Sequence, residues 1–88
     1  FRFSIEWARV MPARGVVDEA ALAHYDALFA ALERHHLVPM VTLCHFVVPG
    51  WVLDEGGLGD DRIVGAFADF ARVVAGRYGA RVGWWVTL

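Results

Sequence analysis

Three short apolar runs separated by two helical stretches leave this chain few ways to fold. Phe1 to Trp7 alternates, with Phe1, Phe3, Ile5 and Trp7 on one side and Arg2, Ser4 and Glu6 on the other. Leu22, Tyr25, Leu28, Phe29 and Leu32 then recur at helical spacing up to about Arg34, behind Asp18 as a cap and Glu19 at the positive helix start. Pro39 opens a second strand, Met40 to Cys44, whose unbroken apolar run suits burial on both faces. Ile63, Phe67, Phe70, Val74 and Tyr78 stripe a second helix, capped by Asp60 or Asp61 and stopped by Gly79. Val82 to Leu88 is the third strand. Strands alternating with helices run parallel through right-handed crossovers. The expected class is therefore α/β, a β-α-β-α-β unit belonging either to an open doubly wound sheet or to a slice of a barrel.

Composition sharpens this. Of 88 residues, 58% are hydrophobic and only 20% charged, with net charge −2. Such a chain is too apolar for a disordered segment and too neutral for a nucleic-acid arm. A self-contained domain of this size buries roughly 60–65% of its surface, so the apolar supply is rich. Phe1 and Leu88 both fall inside strand-like runs, and no Met opens the chain. Residues 1–88 thus read as a single incomplete domain, an internal piece of a larger protein. One cysteine rules out an internal disulfide framework. The uncharged stretch from His35 to Leu53 holds three His and two Pro, so no membrane span is expected. The eight basic residues are all Arg and are scattered, which gives no nucleic-acid patch.

In parallel α/β folds the chemistry gathers where strands end and the next loops begin. Here those places are Glu6–Gly15, His45–Gly59 and whatever follows Leu88. Gly56-Gly57-Leu58-Gly59 fails both Gly-rich phosphate patterns, and Asp60 and Asp61 put negative charge where a phosphate would sit. Adjacent strand residues face opposite ways, so Cys44 and His45 are no nucleophile–base pair. Cys44 is expected in the core, and His24, His35 and His36 as exposed helix residues. Two ligands make no zinc site. If helices cover the Phe1, Phe3 and Ile5 side, Arg2 faces inward and needs an acidic partner. On an antiparallel strand it would belong to a solvent-facing row instead. His45 ends its strand as either a structural residue or a ligand contact. Trp7, Phe46, Trp51, Trp84 and Trp85 near strand ends suit a carbohydrate cleft, and suit core packing equally.

Phe1-Arg2-Phe3-Ser4-Ile5-Glu6-Trp7-Ala8-Arg9-Val10-Met11-Pro12 closely resembles the early strand and turn of glycoside hydrolase family 1. Ala21-Leu22-Ala23-His24-Tyr25 is similar to its next helix. Pro39-Met40-Val41-Thr42-Leu43-Cys44-His45-Phe46, with Pro49 and Trp51, is similar to its next strand and loop. Trp84-Trp85-Val86-Thr87-Leu88 resembles the segment just before its Asn-Glu-Pro motif. The resemblance implies the second to fourth strands of a TIM (β/α)8 barrel, from a retaining β-glycosidase of the β-glucosidase type. Arg2 would then orient the nucleophilic Glu and keep it ionised. His45 would bond sugar hydroxyls, and Phe46 takes a position often held by Trp. Cys44 stands where His or Tyr is common, and Leu58 where a Gly-Gly-Trp is usual.

Both catalytic Glu residues of the family fall outside this stretch. Glu6, Asp54 and Glu55 match neither motif. The substrate implied is a β-glycoside or oligosaccharide, with no metal, no organic cofactor, no nucleic acid and no membrane partner, and the location stays open between cytoplasmic and secreted, with cytoplasmic favoured. The alternatives are a non-catalytic carbohydrate-binding remnant and an unrelated α/β binding module. The resemblance predicts Asn-Glu-Pro immediately after Leu88 in the complete gene. Reading the next three codons checks this, and a stop codon there counts against an active enzyme.

Overall fold

A computed structural model of the chain describes residues 1–44 and 48–87. Three strands, β1 (Arg2–Ser4), β2 (Met40–Thr42) and β3 (Trp84–Val86), form a parallel sheet in the order β1-β2-β3. Arg2 lies beside Met40 and Trp84, Phe3 beside Val41 and Trp85, and Ser4 beside Thr42 and Val86. Each strand is shorter than its apolar run, although the pairing continues from Ile5 N–H to the Thr42 carbonyl at 3.2 Å and from Leu43 N–H to the Val86 carbonyl at 2.9 Å. Trp7 does not extend β1. It starts a one-turn helix, α1 (Trp7–Val10), yet remains buried with Val10.

The crossovers are α2 (Glu19–Arg34) and α4 (Arg62–Tyr78). Both pack on the Phe3–Val41 face of the sheet. Phe29 of α2 stacks on Tyr78 of α4 with ring centres 4.6 Å apart, and Phe3 meets Phe29 edge-on at 5.5 Å. Tyr78 donates its hydroxyl to the Leu22 carbonyl at 2.6 Å, so the buried phenol is satisfied. On the outer surface Arg77 pairs with Asp26 at 2.6 Å and with Glu19 at 3.2 Å. Arg81 pairs with Glu33 at 2.8 Å and lies over the Phe29 ring. Among the described residues the other face of the sheet is free of helices, and Arg2, Ser4 and Trp84 are exposed on it. Consecutive strands with both helices on one face occur in barrels and also in one half of a doubly wound sheet.

Helix ends follow local chemistry. Asp18 caps α2 as expected, its Oδ1 accepting from the N–H groups of Ala20 and Ala21. Of the two candidates for α4, Asp60 is the one whose side chain acts, accepting from Arg62 N–H at 2.8 Å. Asp61 occupies the cap position without a side-chain bond. Gly79 does not stop α4 through a left-handed turn. Its backbone stays right-handed, and a 3₁₀ turn, Gly79–Arg81, carries the chain on.

The end of α2 instead uses His36. With φ at 55°, His36 closes a Schellman turn, in which Leu37 N–H reaches the Leu32 carbonyl and His36 N–H the Glu33 carbonyl. The expected loop from His45 to Gly59 contains a short helix, α3 (Gly50–Asp54), and a 3₁₀ turn, Gly57–Gly59. Gly56 between them has φ of 109°, and a Cβ there would sit 2.8 Å from the Asp60 Cβ. No other residue type fits.

Two stability predictions follow from these contacts. Replacing His36 with Gly removes a left-handed non-glycine residue and is expected to stabilise the fold by about 0.5–1 kcal/mol. Chemical denaturation checks it, and a loss of stability would show that the His36 side chain holds the turn. Burial, with the nearby Asp26 carboxylate, pushes the Tyr78 phenol up to about 12 from 10.0. A raised phenol favours the folded neutral form, so this contribution is complete below pH 10 and disappears as pH climbs through about 12. The stability gap between wild type and Tyr78→Phe, roughly 1 kcal/mol at neutral pH, is expected to close over that window in denaturation measured against pH.

Candidate functional site

Because the strands are parallel, their carboxyl ends share one edge, and two connections leave it. One runs from Ile5 to Asp18 and the other from Leu43 to Asp61. On the helix-free face two levels of side chains approach this edge. Arg2, Met40 and Trp84 form the lower level, with Ser4, Thr42 and Val86 above. Arg2 is exposed there and forms no ion pair among the described residues. The parallel pairing of β1 with β2 excludes the antiparallel alternative, and Arg2 lies on the face away from the helices. The five other residues of these two levels are not acidic, so they supply no partner for it.

Thr42 carries no signal in the sequence, since a threonine within an apolar run reads as ordinary strand. It is 1% exposed, and its Oγ1 has no hydrogen-bond partner among the described residues. Alongside Ser4 it gives the upper level two hydroxyls, one free to turn and one buried. His45 and Phe46, the sugar-contact candidates, lie outside the described residues. Cys44, just before them, is buried and free, as a core residue should be.

The aromatic rim resolves into different parts. Trp7 is core, stacked on Phe70 at 5.4 Å and edge-on to Phe67 at 5.5 Å. Trp51 is half-buried, edge-on to Trp7 at 5.9 Å, with its indole N–H donated to the Met11 carbonyl at 2.8 Å. Trp84 and Trp85 open β3, at the end of the sheet away from the connections, and only Trp84 sits on the helix-free face. Trp7 and Trp51 thus pack or brace, Trp84 and Trp85 are exposed at the far end of the sheet, and Phe46 lies outside the described residues. The structural reason for the first two is that they sit in helices that turn back onto the core.

The acidic residues also separate. Glu6 precedes α1 with its side chain exposed, and Asp54 is exposed at the end of α3. Glu55 is gripped by Arg14 through Nε at 2.9 Å and Nη2 at 2.5 Å, a contact that holds its carboxyl below the usual range. Asp60 is bonded by the Arg62 side chain and backbone, which draws it down to about 2. Carboxylates held this way favour the ionised form and are poor proton donors. A depression of about 310 Å³ between α1 and the start of α2 is lined by Arg9, Asp18 and His24, with Asp18 already spent on the helix cap. Among the described residues no group of three or more His, Cys, Asp or Glu is placed to hold a metal ion. No helix among them is long and apolar enough to cross a membrane.

Comparison with known proteins decides between the architectures. The family model for glycosyl hydrolase family 1 matches residues 1–88. An aryl-phospho-beta-D-glucosidase of Bacillus subtilis (strain 168) is 41% identical over 90 residues, covering 100% of this chain and 19% of that protein. A phospho-cellobiase of Klebsiella oxytoca is 42% identical over 98% of this chain and 19% of its own length. The beta-glucosidase of Exiguobacterium antarcticum B7 superposes with a TM-score of 0.95 at 37% identity, over 99% of this chain and 20% of that one. The chain therefore spans about a fifth of the length of the relatives it matches. Its β-α-β-α-β unit is a segment of a (β/α)8 barrel, and the doubly wound alternative falls away. With the family model matched from Phe1 to Leu88 and the backbone superposing this closely, the chain belongs to glycosyl hydrolase family 1.

Proposed function

We propose that this chain is part of a retaining β-glycosidase that removes terminal β-linked sugars. The family match along all 88 residues, to relatives named as beta-glucosidases and phospho-beta-glucosidases, carries this reading. Residues 1–88 are one incomplete domain, a part of the barrel. In such an enzyme two carboxyl groups stand about 5–5.5 Å apart. One attacks the anomeric carbon while the other protonates the leaving oxygen. The second then takes a proton from the water that frees the sugar from its ester. Neither group is assigned to Glu6, Asp54 or Glu55.

The part given to Arg2 is electrostatic. A guanidinium within a few ångströms of a carboxylate favours the ionised form, and only that form is nucleophilic. Its exposure on the helix-free face, with no acid among its neighbours on β2 and β3, leaves it available for such a partner. His45 is assigned to sugar hydroxyls and Phe46 to the sugar's apolar face. The reaction needs no metal or organic cofactor in this scheme, and a cytoplasmic location is proposed.

Hydrolysis of an aryl β-glucoside and of its 6-phosphate by the whole protein tests the activity and its substrate class together. The 88 residues alone are expected to turn over neither. In the whole protein, Arg2→Met is expected to cut kcat/KM on the order of a hundredfold or more. Loss of the cation raises the nucleophile's pKa, so the acid limb of the pH–rate profile should move up by about 1–3 units, and less in Arg2→Lys. An unmoved acid limb would remove Arg2 from this role, and sugar binding without turnover would favour the non-catalytic alternative.

A further inference from the structure

The two connections that leave the carboxyl edge are fastened to each other across some forty residues of sequence. Trp51 in α3 gives its indole N–H to the Met11 carbonyl of the first connection, and its ring rests edge-on against Trp7. Arg14, also in the first connection, lies over the Trp51 ring with its guanidinium carbon 5.2 Å from the centroid. From there it takes both oxygens of Glu55, in the second connection. Arg62 completes the frame, donating to the Glu55 carbonyl at 2.6 Å and to the Asp60 carboxylate. The planar guanidinium is thus used twice, once by its face on an aromatic ring and once by its edge on a carboxylate.

Taken alone, Arg14 and Glu55 are an exposed ion pair between loops. Exposed pairs contribute little to stability, however, and Arg14 and Glu55 keep 48% and 29% of their side-chain surface. Their hydrogen bonds join only the two connections and touch neither the sheet nor α2. What such a contact can set is the separation of two segments at the carboxyl edge, where barrels bind their ligands.

We propose that Arg14, Trp51 and Glu55 form a clasp between the two loops that this chain gives to the barrel mouth, and that the clasp positions the leaving-group side of a bound β-glycoside. This rests on the glycosidase reading above. An enzyme that removes a terminal sugar takes that sugar in first, so the leaving group faces the mouth and meets these loops. The sugar itself is bound deeper, and every substrate with the same sugar passes through the same glycosyl-enzyme. Loosening the clasp therefore changes KM for bulky leaving groups while breakdown of that common intermediate continues unchanged.

Charge reversal in the whole protein tests this. Arg14→Glu and Glu55→Arg are each expected to raise KM for a β-linked disaccharide about three- to tenfold, with a smaller change for an aryl β-glycoside and kcat within about twofold. The double variant Arg14→Glu/Glu55→Arg should restore KM, and Trp51→Phe, which keeps the ring but loses the N–H, should fall between. Amide exchange at Val16, whose N–H bonds the Ala13 carbonyl beside Arg14, should quicken about tenfold in Glu55→Arg although the change is in the other loop. Unchanged KM in the single variants, failure of the double variant to recover, or a Val16 amide indifferent to Glu55 would each overturn the clasp. Absence of any β-glycoside turnover in the wild-type protein sinks the glycosidase reading instead, with Val16 exchange still reporting whether the loops are joined.

Discussion

The stack of Phe29 on Tyr78 is the contact on which the rest of the arrangement depends. It joins the two crossover helices directly, ring on ring, above the centre of the sheet. Phe3 supports it from below, and the Tyr78 hydroxyl reaches across to the backbone of α2 at Leu22. With both helices committed to one face by this contact, the opposite face is left to side chains alone. Right-handed crossovers give the same result from topology, since successive βαβ units place their helices on the same side. Packing and handedness agree, which is the consistency expected of a sequence that specifies one structure.

That division of faces gives the arginines different work. Arg77 and Arg81 brace α2 against α4, and Arg14 and Arg62 brace the connections at the carboxyl edge. Arg72 pairs with Asp69 one turn away on the same helix. All five act within a few ångströms of carboxylates on this chain. Arg2 differs in that, among the described residues of its face of the sheet, its strand neighbours are Met40, Trp84, Ser4, Thr42 and Val86. A cation set among apolar and hydroxyl groups is costly to enclose without an anion. The same residue is therefore unremarkable when its face is open and strongly constraining once that face is enclosed.

Much of the fold could be read from periodicity because burial writes directly onto it. Phe3 and Ile5 against Arg2 and Ser4, and the stripes ending in Leu32 and Tyr78, each record one buried side. Where the backbone leaves a regular element the record fails. Trp7 keeps the alternating pattern while the chain has already turned into α1, because a buried aromatic fits either period. His36 ends α2 in a conformation that sequence rules assign to glycine, while Gly79, which looks the part, stays right-handed. The site is less legible still. Arg14 and Glu55 are charged residues in loops forty positions apart, and nothing in their spacing announces that they meet. The Met11 carbonyl that receives Trp51 has no side-chain signature at all.

From the core to the rim these contacts form a graded series. Phe70 is fully enclosed and holds Trp7, which is almost as deep. Trp7 supports Trp51, which is half-buried, and Trp51 carries Arg14 at the surface. Each step outward trades dispersion and apolar burial for hydrogen bonds and charge, and with it trades rigidity for adjustability. A change at Trp7 would disturb the helix layer, the sheet edge and both connections together. A change at Arg14 or Glu55 disturbs only the outermost link, since each is solvated and the other partner can return to water without a buried charge being stranded. The inner end of the series ties the connections to the core, and the outer end ties them to each other. In a protein whose chemistry sits at that edge, the outer link can vary without endangering the inner one.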